Sequence, residues 1–122
     1  MSFSTEKNDR YTMITLRADK LDNTVSPLLK SQLVVLNAEG VKNIIIDLTQ
    51  TKYCDSSGLS AILVANRLCK NAGGTFVLTG LQDAISKLIS ISQLDSILNI
   101  TTNLTEAIDL LLMASVEKDQ EN

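Results

Sequence analysis

The sequence predicts an α/β domain with a central mixed, mostly parallel β-sheet of four to five strands, about four α-helices and an opening β-hairpin. Three observations predict it. Short β-rich runs alternate with stretches of helical spacing along nearly the whole chain, the signature of strands joined by helical crossovers. The run Ile44-Ile45-Ile46 is apolar at every position, as in a strand covered on both faces. A chain of 122 residues, 44% apolar and 20% charged, suits one globular core rather than two.

Taken in order, Phe3 to Lys7 is a first, short strand, and Tyr11 to Arg17 a second with the β-branched content strands favour. Tyr11, Met13 and Thr15 fall on one side of it. Asn8-Asp9 between the two is a turn signal, which gives the hairpin. Val25, Leu29, Leu33 and Leu36 then line one helical face. Thr24 or Ser26 could cap this helix; with Ser26 as cap, Pro27 takes the first helical position, where its missing N–H costs nothing. Glu39-Gly40 ends it. Asn43 to Leu48 holds the isoleucine run and is the central strand.

Gly58 to Ala72 returns to helical spacing at Leu59, Ile62, Leu63, Asn66, Cys69 and Ala72, and Gly73-Gly74 stops it. Thr75 to Leu78 is a further strand. Ile85, Leu88 and Ile89 mark a short third helix, Ile97 to Ile100 a last strand, and Leu104, Ile108 and Leu111 a final helix. The folded domain is expected over residues 1–115, with 116–122 a charged tail that frays. The leucine and isoleucine stripes could also serve a dimer, but covering a sheet requires the same stripes.

Composition removes several kinds of function. Net charge is −3 and the basic residues are scattered, so no electrostatic footprint for nucleic acid is present; aromatics at 3% also leave no stacking platform. The N-terminal ten residues are polar, and no long apolar run follows, so neither a signal peptide nor membrane insertion is expected and the cytoplasm is the expected compartment. Histidine is absent, which excludes Ser-His-Asp and Cys-His nucleophiles and zinc sites built on His and Cys. Cys54 and Cys69 read as unpaired structural thiols. No catalytic residue, metal site or cofactor is expected.

The informative segment is Asp55-Ser56-Ser57-Gly58-Leu59, at the junction between the buried strand and the second helix. Any of Asp55, Ser56 or Ser57 could cap that helix, and capping alone would account for these residue types. A buried strand followed by Asp-Ser-Ser-Gly-Leu opening a helix resembles the STAS domain of anti-sigma factor antagonists. Lys20-Leu21-Asp22 resembles that family's loop after the second strand. Gly73-Gly74-Thr75-Phe76-Val77-Leu78 resembles its glycine turn into a strand, and Ile91-Ser92-Gln93-Leu94 its segment before the last strand. The resemblance spans about Tyr11 to Leu112.

The resemblance implies a STAS fold and a binding protein rather than an enzyme. Its implied partners are an anti-sigma factor with serine kinase activity, which phosphorylates the serine after the motif aspartate, here Ser56, and a phosphatase that resets it. Ser57 is the second candidate acceptor. The implied partner-binding set is Asp22, Asp55, Ser56, Ser57, Gly58 and Leu59, with Gly58 letting a partner backbone approach. The sequence departs from the family pattern at Asp19, where glycine is common, and at Cys54, where a larger apolar residue is common. Two other readings are a STAS module of another signalling assembly and a phosphoryl-transfer domain using Asp47, Asp55 and magnesium. The second lacks any G-x-x-x-x-G-K-[ST] loop.

Overall fold

The computed structural model describes residues 2–120. Strands β1 (Phe3–Lys7) and β2 (Thr12–Leu16) form the expected antiparallel hairpin, with Phe3 opposite Leu16. Asn8 makes its turn: the side-chain carbonyl accepts from the N–H groups of Arg10 and Tyr11 at 2.8 and 2.9 Å. There follow β3 (Lys20–Leu21), α1 (Ser26–Ala38), β4 (Ile44–Asp47), β5 (Tyr53–Cys54), α2 (Ser56–Asn71), β6 (Phe76–Thr79), α3 (Asp83–Ile91), β7 (Asn99–Thr101) and α4 (Leu104–Gln120).

The main sheet runs β1-β2-β4-β6-β7, parallel at every pairing after the hairpin. The isoleucine strand β4 is its centre. Side-chain alternation splits the core in two. Ile14, Leu16, Ile44, Ile46, Phe76 and Leu78 face one side, where Leu29, Leu33 and Leu36 of α1, Ala61, Ile62 and Ala65 of α2, and Ile85 and Ile89 of α3 cover them. Ile45 and Val77 face the other, where Ala107 and Leu111 of α4 pack, with Tyr11 and Met13 alongside. Three crossovers stepping the same way along a sheet put their helices on one face. The fourth helix has the other face to itself.

Several boundaries differ from the sequence expectation, each for a structural reason. Ser26 is not a cap. Val25 holds the cap position at φ −109°, ψ −38° without a side-chain hydrogen bond, and Pro27 lies in the first turn as expected. The Asp22 carbonyl instead accepts from the N–H groups of Val25 and Ser26 and from Ser26 Oγ. Gly40, at φ +89°, ends the chain's run beyond α1 in the left-handed region that glycine takes freely.

The last strand begins at Asn99 rather than Ile97, because a 3₁₀ turn over Leu94–Ser96 consumes the residues before it. Helix α4 does not stop at Val116 but runs to Gln120. There Lys118 Nζ donates to the carbonyls of Gly73 and Gly74 at 3.1 and 2.6 Å, fastening the charged end of the helix to the turn after α2. Residues 121 and 122 of the expected tail lie outside the described residues.

Strands β3 and β5 form a second, two-stranded parallel sheet. At two residues each they are too short to show periodicity, and they bear directly on the site.

Candidate functional site at the start of α2

Asp55 caps α2. Its backbone is extended at φ −102°, ψ −173°, and its Oδ1 accepts from the Gly58 N–H at 2.9 Å. The helix therefore starts at Ser56, two residues before the expected start at Gly58. Of the three candidate caps, the aspartate takes the position because it alone sits where the backbone is still extended.

The same Oδ1 accepts from the Ser57 hydroxyl at 2.6 Å. Ser57 Oγ also lies 3.1 Å from Ser26 Oγ, and Ser26 Oγ donates to the Asp22 carbonyl at 2.7 Å. A hydroxyl carries one proton, so with these two given to Asp55 and to the Asp22 carbonyl the Ser26–Ser57 approach is a polar contact with no proton of its own, and Ser57 is committed inside the chain. Ser26, 1% exposed, carries the link from α1 to α2. Ser56 differs: it is exposed, and among the described residues its hydroxyl takes no hydrogen bond.

Gly58 is buried, and the close approach it permits is internal. A Cβ there would meet the Leu21 carbonyl at 2.4 Å and Cys54 Sγ at 2.6 Å. The expectation that this glycine admits a partner's backbone gives way to packing of α2 onto β3 and β5. Burial, with the nearby Asp55 charge adding to it, pushes the Cys54 thiol up to about 12.

Asp22 joins Asp55 at this end of the sheet. The Thr24 hydroxyl and N–H donate to its Oδ1 at 2.6 and 3.0 Å, and the Thr24 hydroxyl is the main cause holding its carboxyl below the usual range. For Asp55 the main cause is the Ser57 hydroxyl, followed by the Gly58 N–H, and again the shift is downward. The Asp55 charge slightly opposes the ionisation of Asp22, but hydrogen bonding outweighs it, and both carboxylates are anionic at neutral pH. Lys20 is the nearby cation.

The departure at Asp19 does not distort its loop. Asp19 has no positive φ, and its carbonyl accepts from the N–H groups of Lys52 and Tyr53 at 2.7 and 3.2 Å. Lys20, Leu21, Asp22, Tyr53, Cys54 and Asp55 then line an open depression of about 470 Å³ beside Ser56. Leu59 is half-buried against the core. Two exposed apolar residues near this region, Leu28 on the outer face of α1 and Tyr53, escaped the sequence reading. Leu28 could have been found as a large apolar residue outside the Val25, Leu29, Leu33, Leu36 stripe.

Asp47, the other carboxylate of the magnesium reading, is used locally, accepting from the Thr49 N–H at 2.9 Å. Among the described residues no group of acidic, His or Cys side chains is arranged to hold a metal ion, and no helix is long and apolar enough to cross a membrane.

The geometry is that of a capped helix presenting one free serine beside paired carboxylates, on a mixed sheet braced by a small parallel pair. The family model of the STAS domain matches residues 2–107. This chain belongs to the STAS domain family. Among its relatives, the anti-sigma-B factor antagonist of Listeria monocytogenes is 30% identical over 102 residues, covering 82% of this chain and 90% of that protein. Solved STAS structures share the fold. An anti-sigma factor antagonist from Mycobacterium paratuberculosis superposes with a TM-score of 0.79 at 18% identity, covering 89% of this chain and 92% of that one. The Bacillus cell fate determinant SpoIIAA in its phosphorylated form gives a TM-score of 0.70 at 24% identity, covering 88% and 96%.

Proposed function

We propose that this STAS chain is an anti-sigma factor antagonist: it holds a kinase-type anti-sigma factor while Ser56 is unmodified and releases it when Ser56 is phosphorylated. The observation that carries this reading is the division of labour between the two serines. Ser57 is tied to Asp55 and Ser26, whereas Ser56 stands exposed with an uncommitted hydroxyl at the first position of α2. The antagonist named among its relatives supports the partner class, and SpoIIAA, which exists in a phosphorylated form, supports the modification.

The physical effect needs no change of fold. Phosphate adds about −1.5 to −2 charges at neutral pH, and the N–H groups at the start of a helix can hold it. It would stand beside Asp55 and Asp22, with Lys20 the nearby cation. A docked partner would have to desolvate that cluster and tolerate its charge. A penalty of about 3 kcal/mol weakens binding roughly a hundredfold.

The docking surface in this reading comprises Asp22, Asp55, Ser56 and the exposed rim of Leu59, with Ser57 and Gly58 shaping it from beneath. The protein acts in the cytoplasm, is a substrate rather than a catalyst, and is reset by a phosphoserine phosphatase. Peptide mapping of the protein from its own cells, with Ser56→Ala and Ser56→Asp compared in partner pull-downs, tests it. Phosphate on Ser56, with an anti-sigma factor kept by Ser56→Ala and lost by Ser56→Asp, is the expected result. An unmodified Ser56 with both variants holding the same partners would overturn the switch.

A further inference from the structure

Asn66 lies on the core-facing stripe of α2 among Ile62, Ala65 and Cys69, and is only 8% exposed. Its amide offers donors and a carbonyl acceptor, yet among the described residues none of them has a hydrogen-bond partner. Among the described residues only Ser4 Oγ is a sealed side-chain polar atom without a partner, so the Asn66 nitrogen and oxygen open onto whatever fills the space beside them, water or a bound molecule. Asn66 lines a cavity of about 530 Å³ between the second half of α2 and α4, within the range of about 300–1,000 Å³ typical of small-molecule sites.

The lining indicates the ligand. Leu110 and Met113 of α4 supply an apolar wall, and Asn99 a further amide whose nitrogen is already given to the Phe76 carbonyl at 3.0 Å. Lys70 and Lys118 are offset in part by Glu117, and Lys118 is held on the Gly73 and Gly74 carbonyls. The net field is thus weak. A carboxylate would serve the Asn66 nitrogen but leave its carbonyl without a donor. An amide edge, with donor and acceptor side by side, serves both.

We propose that this cavity binds a small, largely apolar molecule bearing a carboxamide or lactam edge, paired with the Asn66 side chain. The site is separate from the serine switch: Asn66 follows Ser56 by ten residues of one helix, about 15 Å at the rise of an α-helix.

The test is a titration of the full ¹⁵N-labelled chain with benzamide to about 10 mM, the range in which fragment-sized ligands bind, with benzoate as the matched control. The expected result is saturable shifts of the Asn66 side-chain amide and of the Leu110 and Met113 backbone signals. Binding should be at least about tenfold weaker for benzoate and for folded Asn66→Leu. No saturable shift with benzamide would mean that water alone satisfies the amide, and would overturn the proposal. Equal binding of benzoate, or undiminished binding by Asn66→Leu, would overturn it too. Should Asn66→Leu fail to fold, the contrast between benzamide and benzoate on the unaltered chain decides. None of these readouts involves Ser56, so they stand or fall apart from the switch.

Discussion

The Ser57 hydroxyl donates to Asp55 Oδ1 at 2.6 Å, and this bond is the largest cause of the lowered Asp55 pKa. Removing the hydroxyl in Ser57→Ala should move that pKa back toward 3.8, observable by NMR titration of the carboxyl carbon. An unchanged titration would contradict the assignment of cause. The Gly58 N–H remains with Asp55, so the cap survives the substitution.

The same shift fixes a pH dependence. Because the folded pKa of Asp55 lies below its unfolded value, its ionised form stabilises the fold above 3.8 and that contribution is lost as the pH falls through the lower, folded value. Asp55→Asn keeps a capping acceptor but cannot titrate. The gap in melting temperature between the two proteins should therefore narrow on acidification; a gap independent of pH would show that the carboxylate contributes nothing.

Gly58→Ala should destabilise the fold by about 1–3 kcal/mol, toward the upper end because the obstructing atom is a backbone carbonyl rather than a side-chain tip. A Cβ would meet that Leu21 oxygen at 2.4 Å. Urea unfolding should show a lower midpoint at constant slope. A midpoint equal to that of the parent would mean that β3 moves aside without cost.

Cys54 and Cys69, both pushed up to about 12 chiefly by burial, should react slowly with a thiol reagent at neutral pH and rapidly once urea exposes them. Fast native labelling of both would show that the fold opens readily at both ends of α2.

Ile45→Ala should cost about 2–5 kcal/mol and Ile45→Val about 0.5–1.5 kcal/mol, since Ile45 is fully buried in the small α4-side core. Equilibrium unfolding of both variants checks the ratio.

What could be read from the sequence was whatever rests on periodicity. The stripe of α1, the isoleucine strand and the order of strands and helices are all written in side-chain spacing, and Asn8-Asp9 and Glu39-Gly40 are written in turn chemistry. Ser56 stood out through its motif. What could not be read depends on contacts between residues distant along the chain. The β3–β5 pair joins segments with no pattern of their own. The Ser26–Ser57 contact crosses from α1 to α2, so Ser26 looked like a local cap. Lys118 looked like part of a solvated tail because its acceptors belong to the turn after α2. Gly58 was legible as a close approach, but which backbone approached it was not.

The unequal covering of the sheet divides the molecule's resistance to opening. The face bearing the serine is sealed by three helices sharing one continuous core, while α4 is anchored by a far smaller cluster around Ala107 and Leu111. The cheapest large fluctuation is thus the peeling of α4. Such a fluctuation would bare Ile45 and Val77, an adhesive apolar strip, while leaving Asp55, Ser56 and their supports assembled. A heated sample would then be lost to clumping through its back surface before the surface bearing Ser56 had unfolded.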